Sequence, residues 1–291
     1  MRSRISPFRI ANGRHFQLND HDPGDTGGVG SKEEAGDLLA RGLESLRDQQ
    51  EKLYARGTWA VLAIFQAMDA AGKDSTIKHV MSGVNPQGCR VSSFKAPSAE
   101  ELSHDFLWRT TLRLPERGHI GVFNRSYYEE VLVVRVHPEI LGAQRLPQAV
   151  VSKRLWNERF EDIVCFERHL ARNGVAVLKF FLHVSKREQK RRFLERLETP
   201  AKNWKFSTAD VRERALWREY MAAYQDMIRH TATPEAPWCV VPADHKWFTR
   251  LVVAEAIVDA MKRLDLHFPE LDREKQKELK AAEAALRRKG A

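Results

Sequence analysis

Asp69, Gly72, Lys73 and Asp74 follow closely on the apolar run Val61-Leu62-Ala63-Ile64-Phe65, and Ser75-Thr76 come next. The apolar run reads as a buried strand. The turn after it ends in Gly72-Lys73, where a helix begins. A strand, a Gly-Lys turn and a helix N-terminus together cradle phosphate. Backbone N–H groups and the helix dipole point at the anion, and the lysine adds a full charge. Ala70, Ala71, Gly72, Lys73, Asp74 and Ser75 are the candidate phosphate ligands. The usual Walker pattern is G-x-x-x-x-G-K-[ST], whereas Ala67 stands here at its first glycine and Asp74 at its Ser/Thr. Asp69 inside the cradle would repel phosphate unless a cation sits between them. Mg²⁺ suits that place, because it takes one or two carboxylates together with phosphate oxygens. An ordinary strand–turn–helix corner with a surface lysine is the alternative reading.

A second set of polar residues, Asn124-Arg125-Ser126-Tyr127-Tyr128-Glu129, follows the short apolar run Ile120-Gly121-Val122-Phe123. At such a strand end Asn124 can hold Mg²⁺ or its waters, and Arg125 can clamp phosphate bidentately. Arg135 is a further candidate clamp. Asn124 and Ser126 read equally well as caps of the next helix. A third set is the basic segment holding Lys186, Arg187, Lys190, Arg191, Arg192, Arg196, Lys202 and Lys205. Arg192 and Arg196 are i,i+4 neighbours on one helix face. Such a run can be a solvated surface. It also follows the carboxyl end of an apolar strand, where the lid of a small-molecule phosphotransferase closes to exclude water and neutralise the transferred group. Trp204, Phe206 and Trp217 lie near it and could stack a base or simply pack.

The elements that must position these groups alternate between strand and helix. Residues 31–56 read as an amphipathic helix with Leu38, Leu39, Leu43, Leu46 and Leu53 on one stripe. Helices are expected at 75–81, from a capping box at Ser98 to about 114, from 126, and over 148–172. Strands are expected at 90–94, 120–123, 175–184 and 238–241, besides the one at 61–65. Ser185 opens the basic helix, a closing helix covers 246–264, and 274–288 is a charged helical tail. This order implies an α/β fold with a parallel five-stranded sheet covered on both faces, ligands binding at the strand carboxyl ends. The expected divisions are an extension at 1–56, a main domain at 57–270 with a lid at about 185–215, and a tail at 271–291.

With 291 residues and a net charge of +9, the chain is a basic globular protein suited to a polyanionic partner. No apolar run approaches the ~20 residues of a membrane span, and no secretory signal is expected. Cys89, Cys165 and Cys239 lack metal-ligand spacing and fit reduced thiols in the cytoplasm.

With these sets in place the chain resembles the polyphosphate kinase 2 family from about residue 57 to 264. The likeness rests on Asp69-Ala70-Ala71-Gly72-Lys73, Asn124-Arg125-Ser126-Tyr127-Tyr128-Glu129, and Glu188-Gln189 with Arg192, Phe193 and Arg196. Trp204-Lys205, Thr233-Pro234-Glu235-Ala236-Pro237-Trp238 and Ala243-Asp244 add to it. The resemblance implies a three-layer α/β/α P-loop kinase-like fold with a helical lid. It implies transfer of phosphoryl groups between inorganic polyphosphate and adenine, or also guanine, nucleotides, with Mg²⁺ or Mn²⁺ in its place. It further implies an intracellular homo-oligomer, dimer or tetramer, acting on neither membrane nor nucleic acid. Asp69 and Lys73 match the family's Walker A pair, Asn124 and Arg125 its Walker B pair, and Arg192 and Arg196 its lid arginines. Members that mainly phosphorylate nucleoside diphosphates carry Glu-Gly where this chain has Gln66-Ala67, and Asp and Asn where it has Asn124 and Glu129. The combination resembles the class III subgroup, which accepts both AMP and ADP. Catalysis is then expected of Asp69, Lys73, Arg125 and Arg192, with Asn124, Glu129, Arg135 and Arg196 binding phosphate or nucleotide. An ADP-only member, an ATP-dependent small-molecule kinase and a nucleic-acid-binding P-loop protein remain the rival readings.

Overall fold

The computed structural model describes residues 4–288. Its strands are β1 (Arg9–Ile10), β2 (Ala60–Ala67), β3 (Cys89–Ser93), β4 (Ile120–Asn124), β5 (Val175–His183) and β6 (Trp238–Pro242). They form one sheet in the order β1-β6-β5-β2-β4-β3. Strands β2 to β6 run parallel, as the alternation of strand and helix predicts. β1 is an addition, pairing antiparallel with β6 through Arg9 and Cys239. Two residues carry no readable period, so the sheet has one strand more than expected.

The helices are α1 (Lys32–Arg56), α2 (Lys73–Val80), α3 (Trp108–Thr111), α4 (Val133–Val136), α5 (Glu139–Ala143) and α6 (Leu155–Arg172). They continue with α7 (Lys186–Glu198), α8 (Thr208–Ala215), α9 (Trp217–Thr231), α10 (Lys246–Lys262) and α11 (Arg273–Arg288). One packed group, α1, α2 and α10, and a second, α6 and α9, cover the sheet. β2 lies between β4 and β5 and is covered on both faces, which is why its sequence is a continuous apolar run. α1 starts where Ser31 Oγ accepts from Glu34 N and stops where Gly57 turns left-handed at φ 62°. α11 is exposed along its described length, and residues 289–291 of the expected tail lie outside the described residues.

Three expected helices are shorter than periodicity suggests. The capping box forms, with Glu101 N donating to Ser98 Oγ and Ser98 N to Glu101 Oε2. The helix it opens ends after one 3-10 turn, where Ser103 Oγ and His104 Nδ1 meet the carbonyls of Ala99 and Glu100. After Ser126 the chain makes a 3-10 turn and then the four-residue α4, because 131–136 holds four valines and Pro138 follows. α6 begins at Leu155 rather than 148, since Ser152 Oγ caps Arg154 N.

Behind the Asn124–Glu129 stretch lies a buried polar knot. Glu167 of α6 accepts from the hydroxyls of Tyr127 (2.9 Å) and Tyr128 (2.7 Å) and from Lys179 Nζ (2.6 Å). Lys179 also donates to Tyr128 Oη and to Thr231 O, so its three protons all have partners. The knot pins the turn after β4 to α6, β5 and α9.

The N-terminal residues fold back over the sheet. Ile5, Phe8, Phe16, Leu18 and Val29 join the main core, and Asp244 N donates to Pro23 O across the end of β6. His183, at the end of β5, lies under this strap beside His21, with Asp22 and Asp244 near. Burial, and then the neighbouring His21, push its imidazole from 6.5 to about 4. The folded protein therefore binds fewer protons than the unfolded chain between those values. Its contribution is complete above pH 6.5 and is lost as pH falls toward 4, a loss of about 3 kcal/mol. Urea unfolding at pH 7.0 and 4.5 is expected to show that loss in the wild type and a smaller one in His183→Gln. Equal losses would remove His183 as the source.

Candidate active site

β2 ends at Ala67 and its register sets Phe65 opposite Asn124 of β4. The two polar stretches found in the sequence thus leave neighbouring strands at the same carboxyl edge. The first turns sharply: Ala70 has φ 63° and Gly72 φ 101°. A left-handed alanine is strained by about 1–2 kcal/mol, so the surroundings must hold it. α2 then starts at Lys73, aiming its N-terminus at the space above the loop. The second turns at Arg125, also left-handed at φ 65°, whose N–H donates to Phe65 O at 3.0 Å.

Two cavities meet at Asp69. The larger, about 510 Å³, is lined by 68–75 of the loop and by Arg192, Arg196, Lys202, Asp210 and Lys246 among others. The smaller, about 220 Å³, is lined by Asp69, Arg125, Glu129, Glu213, Tyr220 and Tyr224 with apolar neighbours. Arg125 spans from Asp69 (3.3 Å) to Glu129 (3.6 Å). Glu129, together with Asp69, raises the pKa of Arg125 against burial. Burial raises Glu129, opposed by Arg125 and Lys73. Burial and the nearby Arg125 lower Lys73, against the pull of Glu129, Asp69 and Asp74. Cations and carboxylates are thus interleaved across a half-buried floor, where charge interacts strongly.

The expected residues sort as follows. Asp69, Lys73, Asp74 and Ser75 come together in the larger cavity, and Asp69, Arg125 and Glu129 in the smaller. Ser75 Oγ donates to Gly72 O, which tightens the loop. Asn124 does not cap the following helix. Ser126 does, accepting from Tyr128 N, while Asn124 Nδ2 donates to Asp74 Oδ1 at 2.8 Å. Gln66 and Glu129 are in contact: with its amide oriented to satisfy both ends, Gln66 donates to Glu129 Oε1 at 2.8 Å and accepts from Ser126 N. The two departures at 66 and 129 are therefore one paired feature.

Two expectations need correction. Arg135 lines neither cavity; its Nη2 donates to Asp226 at 2.6 Å and joins α4 to α9. Arg192 borders the larger cavity, but its guanidinium is held by Glu188 and by four backbone carbonyls. Arg196 does face the cavity, 4.0 Å from Asp210. Phe206 packs on Phe193 and Trp217 on the core, whereas Trp204 is exposed and borders the larger cavity. The side chain of Lys205 lies outside the described residues. Lys246 went unseen in the sequence because it opens a long mixed helix. It follows the carboxyl end of β6, and the strand-end rule applied there would have found it.

The family model described as polyphosphate kinase 2 matches residues 30–269 of the chain. The chain belongs to the polyphosphate kinase 2 family. It is 50% identical over 280 residues to the ADP-polyphosphate phosphotransferase of Rhodopseudomonas palustris, covering 96% of this chain and 97% of that one. It is 43% identical over 270 residues to the AMP/ADP-polyphosphate phosphotransferase of Meiothermus ruber, covering 91% and 96%. The crystal structure of polyphosphate kinase 2 from Arthrobacter aurescens superposes with a TM-score of 0.89 at 39% identity, over 99% of this chain and 98% of the other.

Polyphosphate kinase 2 enzymes are phosphotransferases that work with a divalent metal ion, and the donor set here fits one. Among the described residues no group of three or more His, Cys, Asp or Glu side chains is arranged to hold a metal. The loop offers instead the carboxylates of Asp69 and Asp74 beside a phosphate cradle. That suits a hard cation whose remaining shell comes from phosphate and water oxygens. No described helix of this polyphosphate kinase 2 is long and apolar enough to cross a membrane.

Proposed function

We propose that this kinase transfers the terminal phosphoryl group of inorganic polyphosphate, reversibly, to AMP and to ADP, with Mg²⁺ as the preferred metal. One observation carries the reading: Asp69 stands between a large cavity built on the phosphate loop, where cations and carboxylates alternate, and a smaller one with tyrosines and Arg125. The larger cavity suits the donor chain, whose repeating charges meet Lys73, Arg196, Lys202 and Lys246. The smaller suits the acceptor nucleotide, its phosphate toward Arg125 and its sugar or base toward Tyr220 and Tyr224.

Lys73 and the N–H groups at the start of α2 hold the donor phosphate, and Arg125 holds the acceptor phosphate in line with it. Transfer of this kind depends on alignment and on charge neutralisation more than on covalent chemistry. The metal, when bound at Asp69, supplies further neutralisation of the phosphate oxygens. No side chain has to act as general base, because the attacking oxygen belongs to a phosphate already ionised near pH 7. The Gln66–Glu129 pair supports the dual-acceptor assignment, because it moves the carboxylate of that contact into the smaller cavity. A reducing cytoplasmic setting suits the three free cysteines. Self-association into a dimer or tetramer and acceptance of guanine nucleotides belong to the same family resemblance.

The test is product analysis with purified protein, MgCl₂ and long-chain polyphosphate, with AMP alone and, in a separate reaction, ADP alone. ADP followed by ATP is expected. ATP from ADP but nothing from AMP would refute the dual-acceptor assignment. No product from either acceptor would refute the polyphosphate reading.

A further inference from the structure

Three successive carbonyls of the phosphate loop are held by side chains of α7. Gln189 Nε2 donates to Asp69 O at 3.0 Å, and Arg192 Nη1 donates to Ala70 O at 3.0 Å and Ala71 O at 2.7 Å. Both side chains are buried, Gln189 at 1% exposure and Arg192 at 3%. Arg192 Nη2 continues to Ala243 O at 2.6 Å and Asp244 O at 3.0 Å, and Nε reaches Glu188 at 2.8 Å. A guanidinium has five N–H donors, and these contacts use all five. Gln189 Oε1 in turn accepts from Arg214 Nη1 at 2.8 Å, so the glutamine is fixed at both ends.

The geometry of the peptide gives these contacts a consequence in the cavity. In a trans peptide the N–H points opposite to the C=O of the same unit. Holding Asp69 O and Ala71 O toward α7 therefore turns the N–H groups of Ala70 and Gly72 away from α7. The same stretch contains the left-handed Ala70, a conformation that alanine keeps only under external constraint. The contacts from α7 are such a constraint, and they are charge-assisted where Arg192 donates.

We propose that Gln189 and Arg192 are positioning residues that brace the phosphate loop from α7, turning its N–H groups toward the donor phosphates. Arg192 acts through the loop and does not touch the transferring group. α7 is then a fixed wall of the donor cavity and moves with the loop. This deepens the functional reading above and rests on it.

Tripolyphosphate binding in MgCl₂, measured by titration calorimetry, tests the brace without requiring turnover. It is paired with KM for polyphosphate and for AMP in the wild type, Gln189→Met and Arg192→Lys. Methionine fills the glutamine's volume without its donor, and lysine keeps the charge but cannot span both groups of carbonyls. Each variant is expected to bind tripolyphosphate at least ~10-fold more weakly, the scale of one or two lost hydrogen bonds. The polyphosphate KM should rise in proportion and the KM for AMP stay within about twofold, whereas general loosening would raise both. Unchanged tripolyphosphate binding in Gln189→Met would overturn the proposal. So would a loss in Arg192→Lys confined to kcat, which would place Arg192 on the transferring phosphoryl group. Gln189→Met alone decides the matter where Arg192→Lys fails to fold. A wild type that binds tripolyphosphate but phosphorylates neither nucleotide would refute the functional reading, and the brace would still be judged on binding.

Discussion

Replacing Lys73 with methionine is expected to slow phosphoryl transfer by about 10²–10³-fold, the loss seen when one aimed charge or donor is removed from a transition state. The protein should remain folded. Lys73 has no carboxylate within ion-pair distance among the described residues, and burial with the nearby Arg125 lowers its pKa. A charge held in that position weakens the empty protein and becomes favourable only when an anion arrives. Methionine removes the cost together with the function, so the melting temperature should stay level or rise. Single-turnover transfer from polyphosphate to ADP is the measurement, with thermal unfolding alongside. A loss below tenfold would mean that Arg196, Lys202 and Lys246 carry the donor charge by themselves.

The second large effect is on stability. Lys179→Met should unfold the protein about 10 °C earlier. Removing one partner of a buried ion pair costs about 3–5 kcal/mol, and each kcal/mol moves the midpoint of a chain of this size by roughly 2–4 °C. The side chains of Lys179 and Glu167 are 0% and 1% exposed, so the orphaned carboxylate cannot be rescued by water. Adding Glu167→Gln should return part of the loss, because the residual side chain is then neutral and still accepts from the tyrosines. A double variant no more stable than Lys179→Met would show that the lysine's contact with Thr231 O, not the ion pair, dominates. The functional echo should be small at low temperature, since the knot lies behind the turn at Arg125 and meets neither cavity.

Local chemistry was legible in the sequence; partners supplied by distant segments were not. The phosphate loop could be read because strand, turn and helix start fall within sixteen contiguous residues, each with its own propensity. Asn124-Arg125 could be found because a short apolar run marks a strand end. The type and place of Arg192 were visible, but its task was not, because its acceptors are carbonyls at 70, 71, 243 and 244. Carbonyls leave no trace in side-chain pattern. Distance along the chain hid the engagement of Arg135 by the carboxylate of Asp226, 91 positions later. Helix lengths failed where serine and histidine side chains took backbone carbonyls or where valines were crowded together. Both are local effects that a periodicity count does not weigh.

The way the N-terminus closes the sheet bears on how the protein is made. Arg9 pairs with Cys239, Arg4 with Glu255 and Pro23 with Asp244. Residues 4, 9 and 23 thus find these partners more than 200 positions later in the sequence. During synthesis that segment has nothing to pair with, and its apolar side chains stay available to chaperones or to other nascent chains. Contacts so far apart in sequence also slow the final search. β1 can therefore add to β6 only once that last core strand has been made, and the outer edge of β6 stays open until it does.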